Sequence, residues 1–141
     1  MASTKNKLVL EHVPDYFLVG VSCHLKDYRF VWYLNQKLNC SFERIEDYEI
    51  VRKNGQTSNF LMYAWSEEAD HYRYYVIGNR SESGLLVPEH KTVDYLFLIA
   101  GKYEHLDTGA YVDDIRSVQS VLTAYEINPK ETKSCKNLIP E

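Results

Sequence analysis

Two carboxylates, Glu89 and Asp94, stand close together in the stretch VPEHKTVDYLFLIAG, Val87 to Gly101. A pair of acids at such a spacing can divide general acid and base roles, or hold a ligand between them. Asp94 raises the sharper question, because it sits one step inside the most hydrophobic run of the chain. A charge there must be paired, by an arginine or by backbone donors, or be poised for chemistry. The favoured reading is architectural, with Arg29 of the first helical segment as the partner. An acidic ligand-binding or catalytic site formed by Glu89 and Asp94, in a pocket with Tyr28, Arg29 and Tyr95, is the alternative. Other candidates are weaker. The histidines, His12, His24, His71, His90 and His105, show neither HxH nor HxxxH spacing, so no metal is expected. Cys23 and His24 are neighbours on a strand end and point opposite ways, which does not make a nucleophile and its base. The segment DTGA at Asp107 opens a helix and reads as a cap. There is no nucleophile elbow and no glycine-rich phosphate loop, the six glycines being isolated. No catalytic residue and no cofactor follow from the sequence.

These residues need elements to hold them. Lys7–Glu11 reads as a short strand followed by a turn at VPD. YFLVGVSC, Tyr16 to Cys23, is a continuous apolar run, as in a strand buried on both faces. The period then changes: Leu25, Tyr28, Val31, Leu34 and Leu38 form a helical stripe, with Ser22 as candidate N-cap and Asn39 as a left-handed C-cap. FERIEDYEIV reads as an irregular strand, and Asn54-Gly55 as a hairpin turn. In SNFLMYAWS, Phe60, Met62 and Ala64 oppose Leu61, Tyr63 and Trp65. After a turn at EEAD, HYRYYVIG sets Tyr72, Tyr74 and Val76 against His71, Arg73 and Tyr75. NRSESG is a polar loop, and Pro88 keeps LLVPE extended. In TVDYLFLIAG, the deepest strand, Val93, Tyr95, Phe97 and Ile99 share one face, and Asp94, Leu96 and Leu98 the other. Tyr111, Ile115, Val118, Leu122 and Tyr125 predict a second helix, capped by Asp107 or Thr108 and stopped by Pro129. The expected architecture is a single α+β domain over residues 1–141, with five to seven mostly antiparallel strands and both helices on one face of a twisted sheet. Residues 1–5 and 130–141 are expected to be flexible tails. Leu34, Phe97, Ile99, Ile115 and Leu122 are the expected core.

Composition bounds the function. The chain has 141 residues, 45% of them hydrophobic and 26% charged, with a net charge of −4 and a pI near 5.7. Without clustered Lys and Arg, no nucleic-acid partner is expected. The apolar run near the start is too short for a signal peptide or membrane anchor. Cys23, Cys40 and Cys135 are far apart and odd in number, which points to free thiols in the cytoplasm. Twelve tyrosines supply amphipathic area suited to half-buried sheet positions or a binding surface.

The sequence Val87-Pro88-Glu89 followed by Val93-Asp94-Tyr95 resembles the signature of the IPExxxVDY family, small bacterial proteins named for that motif, with Val87 in place of its isoleucine. Asp27-Tyr28-Arg29 within KDYRFVWYLN, and the LVGVS before it, are similar to that family's first-helix region, so the resemblance spans roughly the whole chain. It implies no reaction and no catalytic residues. The leading expectation is therefore a non-catalytic binding or protein-interaction module whose partner is another protein. A small-ligand sensor or small enzyme, and a homo-oligomeric structural protein such as a homodimer, are the alternatives.

Overall fold

A computed structural model describes residues 16–66, 72–101 and 103–138. The expected strand at Lys7–Glu11, the turn at EEAD, and His12 and His71 lie outside the described residues, as do the tails 1–5 and 139–141. The main sheet has six strands: β1 (Tyr16–Cys23), β2 (Glu43–Val51), β3 (Thr57–Ser66), β4 (Arg73–Gly78), β7 (Tyr95–Ala100) and β8 (Val121–Ile127). Their order is β2-β3-β4-β7-β1-β8, and every pairing is antiparallel. A two-stranded hairpin, β5 (Arg80–Ser81) with β6 (Gly84–Leu85), occupies the segment read as a loop. The fold is α+β, as expected, and among the described residues no helix is long and apolar enough to cross a membrane.

Alternation decides the two faces of the sheet. Phe17, Val19 and Val21 of β1, Tyr74 and Val76 of β4, and Phe97 and Ile99 of β7 face the helices α1 (Asp27–Leu38) and α2 (Thr108–Arg116). Leu18, Met62, Tyr75, Ile77, Leu96 and Leu98 point the other way. Among the described residues that second face carries no α-helix. It is covered by the loop around Leu86, Val87 and Val93, and by Cys135 and Leu138 from the C-terminal segment. Residues 130–138 are thus not a loose tail: Cys135 and Leu138 are fully buried, and the Tyr16 hydroxyl donates to the Cys135 carbonyl at 2.8 Å.

Gly20 shows why β1 tolerates no side chain at its centre. A Cβ there would lie 2.8 Å from Val93 Cγ2 and 2.9 Å from Ile127 Cδ1. Its absence lets the motif valine lie directly on the sheet. The outer strand β2 is protected differently. It carries Glu43, Arg44, Glu46, Asp47 and Glu49, and its register shifts between Ile45 and Tyr48, the irregularity expected of it. Charge and a bulge both discourage further strand pairing.

Three expectations are corrected. Helix α1 begins at Asp27, with Lys26 before it and no side-chain cap, while Ser22 belongs to β1 and donates to the Thr92 carbonyl. Its buried stripe is Phe30, Val31 and Leu34, which turns Tyr28 outward. The C-cap Asn39 is left-handed as read, with φ 55°. Helix α2 is capped by Asp107, which accepts from the Ala110 amide, but it ends at Arg116. Residues 121–127 are strand β8 instead, because β1 would otherwise have an unpaired edge whose backbone groups need partners. Ser120, at φ 72°, makes the turn. Leu122 therefore lies 58% exposed rather than in the core. Finally, the chain becomes strand only at Tyr95, so Val93 packs with Leu96 and Leu98 rather than with Phe97 and Ile99.

Phe97, 1% exposed in the central strand β7, sets the test of this architecture. Phe97→Ala is expected to cost about 3–5 kcal/mol in a urea melt by opening a cavity. Leu122→Ala, at the exposed position, is expected to stay within about 0.5 kcal/mol of the parent.

Candidate functional site

The segment from Leu86 to Asp94 returns from the small hairpin to β7, and one buried side chain organises it. Asn79 is fully buried. Its Oδ1 accepts from the Val87 amide at 2.7 Å, and its Nδ2 donates to the carbonyls of Val93 at 2.9 Å and His90 at 3.2 Å. Its own amide donates to the Asp94 carbonyl, and its own carbonyl accepts from the Leu86 amide. A side-chain amide here replaces the ladder partners that an irregular loop lacks.

On this support each motif residue has a structural task. Val87 and Val93 are fully buried, while Pro88 is exposed in the bend. Glu89 Oε2 accepts from the Ser134 amide at 3.0 Å, which fastens the 3₁₀ segment Lys133–Asn137. Burial alone would raise the Glu89 carboxyl. Hydrogen bonds from Ser134 and its own backbone, with the charge of His90, outweigh that and hold it below the usual glutamate value. Asp94 Oδ2 accepts from the Cys23 amide at 2.9 Å, and Oδ1 from Arg80 Nε at 2.8 Å. Arg80 also donates to the Lys91 carbonyl at 2.6 Å. The partner of Asp94 is thus an arginine together with a backbone donor, but the arginine is Arg80; Arg29 is exposed on α1. Tyr95 donates to the Leu25 carbonyl at 2.6 Å and stacks on Phe30, with ring centroids 4.8 Å apart, so it docks the start of α1. Asp27 accepts from the Tyr63 hydroxyl at 2.6 Å beside Arg44, and burial, followed by that carboxylate, pushes Tyr63 up to about 12.

The structure therefore does not bring the sequence-predicted residues into one pocket. Glu89 and Asp94 bind different partners, Tyr95 is engaged beneath α1, and Tyr28 and Arg29 face outward. Among the described residues no three His, Cys, Asp or Glu side chains are grouped to hold a metal ion. The three cysteines are free, and burial raises each thiol, Cys40 to about 12 and Cys135 to about 11. Such thiols stay protonated near neutrality and make poor nucleophiles.

What the structure does assemble lies at the other end of α1. A cavity of about 430 Å³ opens between the C-terminal end of α1, the sheet and α2. Its floor is Phe42, Tyr74 and Phe97, all buried. Trp65, Tyr72 and Tyr111 form aromatic walls, and Leu38, Cys40 and Leu106 complete them. The Trp65 and Tyr74 rings lie 4.7 Å apart, and the Phe97 and Tyr111 rings 5.8 Å apart. Sequence reasoning missed this cavity because its walls come from four separate segments. It also missed Asn79 and Arg80, which look like ordinary polar residues of NRSESG. The only sequence signal at the cavity is the density of aromatics around Trp65 and Tyr72. A second feature is on the surface, where Tyr28 is 61% and Trp32 58% exposed, four residues apart on α1.

Two expectations separate architecture from chemistry at the motif. Asn79→Ala strands the Val87 amide and two carbonyls, and is expected to cost roughly 2–5 kcal/mol in urea. Asp94→Asn is expected to lose about 1–3 kcal/mol with its charge-assisted bonds. A poised catalytic acid would instead leave stability unchanged or raised. Glu89 gives a pH signature. Its folded pKa is lowered, so its contribution is complete above the ordinary glutamate value of about 4.3 and fades as pH falls through the lower folded value. Glu89→Gln is expected to flatten that part of an acid melt, followed by circular dichroism.

Compared with known proteins, the chain matches no protein-family model and no curated protein sequence.

Proposed function

We propose that this protein is a non-catalytic interaction module of the cytosol, and that it contacts a partner protein through the outward face of α1. The observation that carries this reading is the exposed pair Tyr28 and Trp32, one helical turn apart, with Arg29 beside them. Tyr, Trp and Arg are the residue types that most often dominate binding energy at protein interfaces. A helix in a sheet-covering layer ordinarily exposes polar side chains, so two large aromatics held in water favour a surface that is covered part of the time. The acids that would serve a reaction are engaged in holding the fold, and the thiols are protonated. Resemblance to the IPExxxVDY proteins fits the same reading, with the motif acting as a folding signature. The free, widely spaced cysteines support a reducing compartment.

The test places a photo-crosslinking amino acid at position 36, exposed one turn beyond Trp32 on α1, and compares partner capture with and without Tyr28→Ala and Trp32→Ala. Each substitution is expected to weaken the captured interaction by roughly 30-fold, the scale of a hot spot, with an unchanged thermal melt. Equal capture by parent and double variant sinks the proposal. Crosslinks that join only two copies of this chain, with mass rising with concentration, assign the face to a homodimer instead.

A further inference from the structure

We infer that the partner protein engages α1 through a short acidic segment, in which two carboxylates about 12 Å apart flank an apolar side chain. This inference rests on the interaction face proposed above and specifies the chemistry of what that face meets.

Two ridges run along the outward side of α1. Residues four apart stand one above the other on a helix, so Tyr28, Trp32 and Gln36 form one ridge and Arg29, Tyr33 and Lys37 the next. The first ridge is aromatic and exposed. The second is cationic at both ends, and both Arg29 and Lys37 are exposed. Eight residues at a rise of 1.5 Å each put these two charges about 12 Å apart along the axis. Tyr33 lies between them and meets Trp32 edge to face, with ring centroids 5.1 Å apart and 84° between the planes. That contact braces the indole beside the cations.

The acid of the helix does not neutralise this surface. Asp27 is engaged elsewhere, accepting from the Tyr63 hydroxyl at 2.6 Å and lying 3.9 Å from Arg44. On α2, which packs beside α1, Asp107 caps its own helix and Asp113 pairs with Arg116 at 3.8 Å, while Asp114 is exposed. Residues 26–38 carry three cations, Lys26, Arg29 and Lys37, and one acid, a net +2 in a chain of net −4, which leaves −6 on the rest. All three cations are exposed. The helix thus presents the opposite sign from the remainder of the protein.

That asymmetry selects the kind of partner. A nucleic acid or an anionic membrane is an extended polyanion. Either would carry its charge past α1 and within a Debye length, roughly 8 Å at physiological salt, of the acidic remainder. A short acidic segment meets the cations of α1 alone. Two carboxylates four residues apart in an extended chain, at about 3.3 Å per residue, span the distance from Arg29 to Lys37. An apolar side chain between them lies over Trp32 and excludes water from the aromatic ridge.

The experiment uses the full chain with the photo-crosslinker at position 36. The crosslinked segment is sequenced by mass spectrometry, synthesised as a labelled peptide and titrated by fluorescence anisotropy. The segment is expected to carry Asp or Glu. Its affinity is expected to fall at least about tenfold, or about 1.4 kcal/mol, when Arg29→Glu and Lys37→Glu are combined. Changing the peptide's own acids to Asn or Gln is expected to weaken parent binding on the same scale. Arg29→Lys with Lys37→Arg, which keeps both charges, is expected to stay within about threefold. So is Lys53→Glu, which alters net charge at the exposed β2–β3 turn and not on this face. A crosslink that needs Tyr28 and Trp32 but joins a segment without acids, or binding indifferent to the charge reversal, overturns this inference and leaves the interaction face standing. Absence of any crosslink that depends on Tyr28 and Trp32 overturns the face itself, and the inference with it. Saturable binding of phosphatidylglycerol–phosphatidylcholine vesicles or of oligothymidylate, lost on the same charge reversal and without capture of a protein, overturns the class of partner. A crosslink to Glu43–Glu49 of a second copy overturns a separate partner.

Discussion

The buried side-chain amide of Asn79 bonds to Val87, His90 and Val93 at once, while its backbone bonds to Leu86 and Asp94. Among the described residues one face of this sheet carries no α-helix, and the chain covers it with a loop and the 3₁₀ segment Lys133–Asn137. A loop laid over apolar strands would normally bury backbone groups that find no ladder, at a cost of kilocalories for each. Asn79 removes that cost. Once the loop is fixed, Val87 and Val93 cover the sheet, Glu89 fastens the C-terminal segment above it, and Asp94 bridges to β1 and Arg80. Tyr95 carries the same construction through the sheet to α1 on the opposite side. The acids of the motif and helix α1 are therefore parts of one mechanical unit.

Under the proposed function, this arrangement separates stability from recognition. The hydrogen-bonding capacity of Asp94 and Glu89 is spent on the loop face. The helix face keeps its aromatic surplus, with Tyr28 and Trp32 outside and the ring-lined cavity below. Substitutions on the loop face are expected to act through the amount of folded protein, whereas those at the exposed Tyr28 and Trp32 are expected to act on the proposed binding alone.

Much of the fold was legible because short apolar runs bounded by turn residues mark strands, and the side-chain period of two then assigns their faces. The opposed faces of β3, β4 and the interior of β7 read directly from alternation, and the left-handed Asn39 from its place after a helical stripe. Two kinds of information were not local. Tyr111, Ile115, Val118, Leu122 and Tyr125 satisfy a helical period, yet the pairing needs of β1 claimed residues 121–127 for the sheet. The partner of Asp94 was legible as a type, an arginine with backbone donors, but choosing Arg80 over Arg29 required knowing that β4 and β7 are neighbours. Asn79 carried no signal at all, since a buried asparagine and a loop asparagine are spelled alike. The cavity was equally hidden, because residues 38–42, 65, 72–74, 97 and 106–111 meet only through the topology.

The position of β1 has a consequence for how the protein is made. Its two neighbours, β7 and β8, both come from the second half of the chain, and the cover over its loop-side residues includes Cys135 and Leu138. As the polypeptide leaves the ribosome, the run YFLVGVSC emerges before either neighbour and has no native strand to join. The hairpin of β2 and β3, extended by β4, can form from adjacent sequence without β1. Sheet closure must wait for residues 95–100 and 121–127, a non-local event that slows folding and leaves an apolar strand open to wrong partners. Nascent chains halted before β8 are thus the form of this protein that most needs a chaperone.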